Sequence, residues 1–245
     1  IYKEFIESCL AIPVLTGRKT EKERFAGAVA TYTMEAMMRD GKSLQSGTSH
    51  YLGQNFAKAF DIKFLDKDGE LKNAFTTSWG VSTRLIGAII MTHGDERGLA
   101  LPPVVAPVQA VIVPIAARKG GVVEACEALK TELENAGIRV AFDNTDNSPG
   151  WKFNEWEMKG VPLRIELGPR DIENGKMVCA RRDTHEKQEV ALDGAVDTVK
   201  ALLAEIQQNM LESARKRRDE RIVYADDMAG ILSGVDAGNF VKAGW

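Results

Sequence analysis

The 245-residue chain is 44% hydrophobic and 27% charged, with a formal net charge of −3. That balance excludes a disordered polymer and a protein that coats nucleic acid non-specifically, and no apolar run reaches the about eighteen residues of a membrane span. Cys9, Cys126 and Cys179 are odd in number and far apart, which predicts reduced thiols and no metal site.

Residues 1–10 place Tyr2, Phe5, Ile6, Cys9 and Leu10 on one helical face, and Pro13 ends the helix. The pattern reads as the back half of an amphipathic helix, without a secretory leader, so the sequence is expected to begin inside a longer protein. Residues 16–24 read as a charged loop. Residues 25–38 mix small, β-branched and apolar side chains and predict a long strand with Phe25 at its mouth. Asp40-Gly41-Lys42 then predicts a hairpin turn.

The return strand carries the densest polar group of the chain, Gln45-Ser46-Gly47-Thr48-Ser49-His50. Simple alternation would aim Leu44 and Ser46 one way and Gln45 the other. Gly47, lacking a Cβ, is expected to admit a ligand or another backbone. An ordinary strand edge with satisfied hydroxyls also fits this composition. Residues 62–65 and 71–75 predict a second hairpin around Asp66-Lys67-Asp68-Gly69, and Thr77-Ser78-Trp79-Gly80 a further strand end. Residues 81–91 predict an apolar helix with Arg84 in its first turn. A guanidinium there needs a carboxylate or a phosphate, both of which its planar fork binds bidentately.

Pro102, Pro103 and Pro107 break regular structure, and a domain boundary is expected near residue 106. Beyond it, strands at residues 109–114, 138–142, 162–167 and 177–181 alternate with helices at 120–136, 149–158 and 190–208. This predicts a small α/β domain with a mostly parallel sheet. Two basic runs, Arg181-Arg182 and Arg215-Lys216-Arg217-Arg218 with Arg221, are candidate RNA patches, although such runs are also ordinary solvated faces.

Five runs in order, residues 16–27, 44–56, 77–84, 93–103 and 150–171, give the chain a resemblance to class II aminoacyl-tRNA synthetases, specifically prolyl-tRNA synthetases of the archaeal and eukaryotic type. The resemblance covers nearly the whole chain. It implies an α/β (α+β) fold: residues 1–106 as the C-terminal part of an antiparallel-sheet catalytic domain, 107–212 as an anticodon-binding domain, and 213–245 as the start of a truncated C-terminal domain. The implied chemistry is ATP-dependent ligation of L-proline to tRNA(Pro) through a prolyl-adenylate, with Mg2+, in the cytoplasm.

Carried over by position, Arg84 is the implied catalytic arginine and binds ATP with Gln45 and Thr48. Phe25, His50, Ser78, Trp79 and Gly80 are implied to line the proline pocket, an apolar box with acceptors for the ring nitrogen. Glu157, Arg164 and Lys187 are the implied anticodon readers, a carboxylate being a good acceptor for a guanine Watson–Crick edge. A plain Glu157–Arg164 ion pair is the bland alternative. His93 and His185 receive no role.

The family's first two motifs, including its dimer interface, have no match here, so the homodimer contact and the opposite wall of the active site are expected upstream. No metal ligand is assigned, and any zinc site is expected beyond residue 245. No DNA or membrane partner is implied. A non-catalytic synthetase-like paralogue and a stand-alone RNA module are the competing readings. The matched pocket set weighs against the first, and the hundred residues before Pro107 against the second.

Overall fold

The computed structural model describes residues 1–244 and divides into two compact units. The first comprises Ile1–Glu7, Ile12–Ala88 and the chain from Glu220 onward, and the second Ser8–Ala11 and Ile89–Asp219. The opening elements are α1 (Tyr2–Leu10), β1 (Val14–Arg18), β2 (Ala30–Met37), β3 (Ser43–Gly53), α2 (Asn55–Ala59), β4 (Lys63–Leu65), β5 (Leu71–Asn73), β6 (Thr76–Gly80) and α3 (Arg84–His93).

Strands β1, β2, β3 and β6 form one antiparallel sheet in that order. The β2–β3 hairpin closes as its Asp-Gly dipeptide predicts. Gly41 takes φ +88°, the Lys42 N–H donates to Asp40 Oδ1 at 3.0 Å, and the Met38 N–H donates to the Lys42 carbonyl at 2.9 Å. The strand expected to begin at Phe25 begins only at Ala30. Gly27 at φ +85° turns the chain first, and the Arg24 guanidinium ties back to the Ala28 carbonyl. Part of the expected charged loop is instead β1, an edge strand, where charge is tolerated.

One irregularity decides which side chains share a face. Met34 pairs with Gly47 but Glu35 pairs with Gln45, so Ser46 is an extra, unpaired residue and the strand bulges. Cross-strand neighbours point to the same face. The pairs Glu35–Gln45, Thr33–Thr48 and Thr31–His50 therefore line one surface of the sheet. Without the bulge, Gln45 and Thr48, three residues apart, would face opposite ways.

The second unit continues with β7 (Ala110–Pro114), α4 (Val122–Asn135), β8 (Val140–Phe142), α5 (Pro149–Met158), β9 (Leu163–Leu167), α6 (Pro169–Glu173), β10 (Lys176–Arg181), β11 (Lys187–Ala191) and α7 (Ala195–Asp219). Its sheet runs β11-β10-β9-β7-β8. Strands β8, β7 and β9 are parallel, whereas β10 and β11 are antiparallel to their neighbours. The sheet is thus mixed rather than mostly parallel, because the short links beside β10 cannot make the long crossover that parallel strands require. Strand β11 takes up Lys187–Ala191, so the helix expected from residue 190 begins only after Gly194 turns at φ +72°.

Strand β7 is buried along its length, as befits an apolar run covered on both faces. Against the sheet, α7 lays Val199, Leu202, Leu203, Ile206 and Met210, a stripe at helical spacing. Helix α5 starts on a Ser148 cap with Pro149 at its first position, and its inner side is pinned to Asp143. The Trp156 indole donates to Asp143 Oδ2 at 2.8 Å, and buried Lys152 donates to the Asp143 carbonyl at 2.9 Å. That fastening fixes the face of α5 that carries Phe153 and Glu157.

The tail returns to the first unit. Strands β12 (Ile222–Ala225) and β13 (Phe240–Ala243) pair in parallel across α8 (Met228–Asp236), whose cap, Asp227, accepts from the Gly230 N–H at 2.7 Å. Residues 213–219, expected to open a third domain, are the last turns of α7.

Candidate functional site

On the polar face of the first sheet, hydrogen bonds chain across β2 and β3. Ser43 Oγ and Thr33 Oγ1 donate to the two Glu35 carboxylate oxygens at 2.9 and 2.7 Å, and the Gln45 amide lies 3.4 Å from Thr33 Oγ1. Further along, Thr31 Oγ1 is 3.0 Å from His50 Nδ1 and accepts the Phe25 N–H at 3.1 Å. The Phe25 ring lies 4.8 Å from the His50 ring, so the loop delivers Phe25 to the site although it is not part of the strand. The register extends the same face onto β6: His50 pairs with Ser78, and Thr48 with Gly80.

Arg84 reaches this sheet from the first residue of α3. Its Nη1 donates to the Gln45 carbonyl at 3.1 Å, and its backbone N–H to Ser82 Oγ at 3.3 Å. A cavity of about 240 Å³ opens between Arg84, Gln45, Thr48, Gly80 and Ser82. The two glycines here do different work. A Cβ on Gly80 would meet nothing within 4 Å, whereas one on Gly47 would lie 2.7 Å from Met34 Cε and 3.1 Å from Val81 Cγ1. Gly47, expected to admit a ligand or another backbone, lines this cavity, and a Cβ there would also press on Met34 and Val81.

Trp79 is not brought to this group. It pairs with Ser49, one residue out of phase with His50 and Ser78, and so belongs to the opposite surface. Its ring meets Tyr2 edge-on at 6.4 Å beside a second cavity of about 460 Å³ that also takes in Thr16, Arg18, Tyr32 and Met34.

The second unit gathers the other three predicted residues. Arg164 Nη1 donates to Glu157 Oε1 at 2.8 Å, and its Nη2 lies 3.0 Å from Glu166 Oε1. Lys187 Nζ meets the same Glu166 oxygen at 2.7 Å. The Arg164 guanidinium sits 4.0 Å over the Phe153 ring and the Lys187 ammonium 5.1 Å from it, cation–π contacts that hold both groups in place. Burial works against ionisation of Glu157, but the Arg164 hydrogen bond and the charges of Arg164, Arg97 and Arg182 outweigh it and keep the carboxyl below its usual range. The ion pair that sequence offered as an alternative does exist. A carboxylate has about four acceptor positions, so pairing leaves Glu157 able to accept more.

Glu166 and Phe153 were missed by sequence reading. Both were legible in principle, Glu166 at strand spacing from Arg164 and Phe153 one helical turn before Glu157. The proposed basic patch at Arg181-Arg182 does not stand. Arg181 is buried against Asp183 and Glu205, and Arg182 against Asp95. In the second run Arg215 pairs with Glu212 and Arg218 with Asp219, the satisfied helix face that was its alternative. His93 contacts the Leu10 carbonyl at 2.9 Å, and His185 lies 3.5 Å from Asp95. Among the described residues no cluster of three or more His, Cys, Asp or Glu could hold a metal, and no helix is long and apolar enough to cross a membrane.

Residues 109–202 match the anticodon binding domain family. The antiparallel sheet that carries Arg84 on its polar face precedes that domain in the chain. The chain is similar along its whole length to proline–tRNA ligases. It is 53% identical to that of Symbiobacterium thermophilum, 56% to that of Alkaliphilus oremlandii and 57% to that of Acetoanaerobium sticklandii. The alignments cover 100% of this chain and 52%, 51% and 51% of those relatives, so it spans about half their length.

Proposed function

We propose that the protein carrying this chain joins L-proline to tRNA(Pro) at the expense of ATP. Proline carboxylate attacks the α-phosphate, giving prolyl-adenylate and pyrophosphate, and the 3′-terminal ribose hydroxyl of the tRNA then takes the prolyl group. The observation that carries this reading is the bulge-made face: Gln45, Thr48, His50, Ser78 and Gly80 gathered on one surface beside Arg84, in a chain so similar to proline–tRNA ligases.

In this reading Gln45, Thr48 and Arg84 hold the nucleotide. Arg84 gives one donor to the Gln45 carbonyl, which leaves the rest of its fork for phosphate oxygens as negative charge shifts. Phe25, His50, Ser78 and Gly80 receive proline, and Trp79 does not line that pocket. The Thr31 hydroxyl accepts the Phe25 N–H and lies 3.0 Å from His50 Nδ1, which leaves Nε2 for the ligand. The rate gain comes from positioning and charge neutralisation, with little covalent work for side chains.

Magnesium bound mainly through substrate phosphates needs no protein cage, and Glu35 is the carboxylate this face offers it. Glu157, Arg164 and Lys187, with Glu166 and Phe153, read splayed anticodon bases. The functional boundary falls near residue 106, ahead of the matched anticodon domain. The protein works in the cytoplasm as a homodimer, its partner contact and remaining active-site wall lying outside these residues.

The test is a pair of variants in the complete enzyme. Arg84→Ala abolishes proline-dependent ATP–pyrophosphate exchange while the circular-dichroism spectrum is kept. Exchange within about tenfold of wild type, a barrier change of about 1.4 kcal/mol, rejects its phosphate role. Glu157→Ala spares exchange and weakens charging, and unchanged charging makes Glu157 a structural residue only.

A further inference from the structure

The segment between α3 and β7 is fastened to the end of α5 more firmly than a connection needs. Arg182, almost fully buried, donates to both Asp95 oxygens at 2.7 and 2.6 Å, to the Glu157 carbonyl at 3.1 Å and to the Gly98 carbonyl at 3.3 Å. The Leu99 N–H donates to the Met158 carbonyl at 3.0 Å, and the Leu101 N–H to the Gly160 carbonyl at 3.1 Å. Gly98, at φ +125°, lies so close that a Cβ there would come within 2.7 Å of the Met158 backbone. Inside this fastening the Arg97 N–H donates to Asp95 Oδ1 at 2.9 Å, which fixes the backbone from which the Arg97 side chain springs.

The product of this arrangement is a cation at the rim of the Glu157–Arg164–Lys187 cluster. Arg97 Nη1 stands 3.6 Å from Glu157 Oε2, close enough to feel its charge but too far for a hydrogen bond, and the side chain is 49% exposed. Arg164 and Glu166 are buried at the floor of the cluster. Groups at the floor are placed for base edges, and an exposed guanidinium at the rim for the sugar–phosphate chain that carries those bases.

We propose that Arg97 is a further RNA-contacting residue of this surface, binding a backbone phosphate beside the bases that the Glu157 cluster reads. This rests on the anticodon-reading role proposed above.

The test is binding of a synthetic anticodon stem–loop with two adjacent guanines to the full 245-residue chain over a salt series. Arg97→Ala should weaken binding by about two- to fivefold at low salt, the range of an exposed ion pair. The loss should be equal for a loop with the guanines changed to adenines. The slope of log affinity against log salt should become shallower by about 0.7, the value for one single-strand phosphate. Arg97→Lys should restore the slope. An unchanged slope in Arg97→Ala, or a loss that depends on base identity, overturns the proposal. If wild type prefers guanine and Glu157→Ala erases that preference while the Arg97 slope stays fixed, only the Arg97 assignment falls. If the slope responds but wild type shows no guanine preference, the anticodon reading falls and Arg97 stands as an RNA contact. No binding by wild type rejects both.

Discussion

Replacing Asp95 by asparagine keeps the size of the side chain and removes one charge from the fastening beside Glu157. The Arg182 hydrogen bonds, ahead of burial acting in the opposite direction, hold the Asp95 carboxyl down to about 2 against an ordinary 3.8. A drop of nearly two units at about 1.36 kcal/mol each is worth roughly 2 kcal/mol, allowing for the solvent that reaches the carboxylate. Because the folded value is depressed, that stability is present in full above pH about 4 and lost as pH falls toward 2. The asparagine variant loses more than this at neutral pH. Arg182 is only 4% exposed, and an arginine left buried without its counter-charge costs about 3–5 kcal/mol. Urea denaturation followed by tryptophan fluorescence measures both. At pH 7 the variant should be less stable by about 3 kcal/mol or more, and the gap should narrow below pH about 4 as wild type loses its own pair. A gap under about 1 kcal/mol, the range of a surface pair, or one that persists on acidification, refutes the claim that Asp95–Arg182 holds this segment to α5.

Gly80→Leu should leave the urea midpoint close to wild type, since its Cβ has no neighbour within 4 Å, yet fill the cavity of about 240 Å³. In the complete enzyme it should abolish ATP–pyrophosphate exchange, and wild-type exchange would remove Gly80 from the ligand face. Burial pushes the Cys126 thiol up to about 11 and the Cys179 thiol up to about 12. Iodoacetamide at pH 8 should therefore label Cys9 in the native chain and all three cysteines after unfolding. Native labelling of Cys126 or Cys179 at the rate of Cys9, read by mass spectrometry, would show that the second core opens to solvent.

Much of this was legible because it is local. Asp40-Gly41 announced the hairpin, the apolar run at residues 110–114 a central strand, and Ser148-Pro149 a helix start. What was not legible depends on counting across strands. The bulge at Ser46 exists only relative to β2, so alternation along β3 alone would separate Gln45 from Thr48 and His50. Trp79 was grouped with Ser78 and Gly80 because they adjoin in sequence, whereas neighbours on a strand point apart. Arg97 lies far along the chain from Arg164 and Glu157, and the buried Asp95–Arg182 pair, with the backbone hydrogen bonds at Leu99 and Leu101, explains how it arrives there.

The extra residue at Ser46 also makes this hairpin sensitive to length in a way that substitution alone would not reveal. Deleting one residue between Gln45 and Thr48 would remove the bulge and leave the two side chains an even spacing apart, still facing the same way. Deleting two would send Gln45 to the far surface, opposite Met34 and about 3.3 Å along the strand, and take its carbonyl from Arg84. Exposed Lys42 can change identity with little consequence, while the number of residues from Gln45 to Thr48 decides which way Gln45 faces. For this segment the meaningful comparison between relatives is a ruler, the residue count, more than a score of chemical likeness.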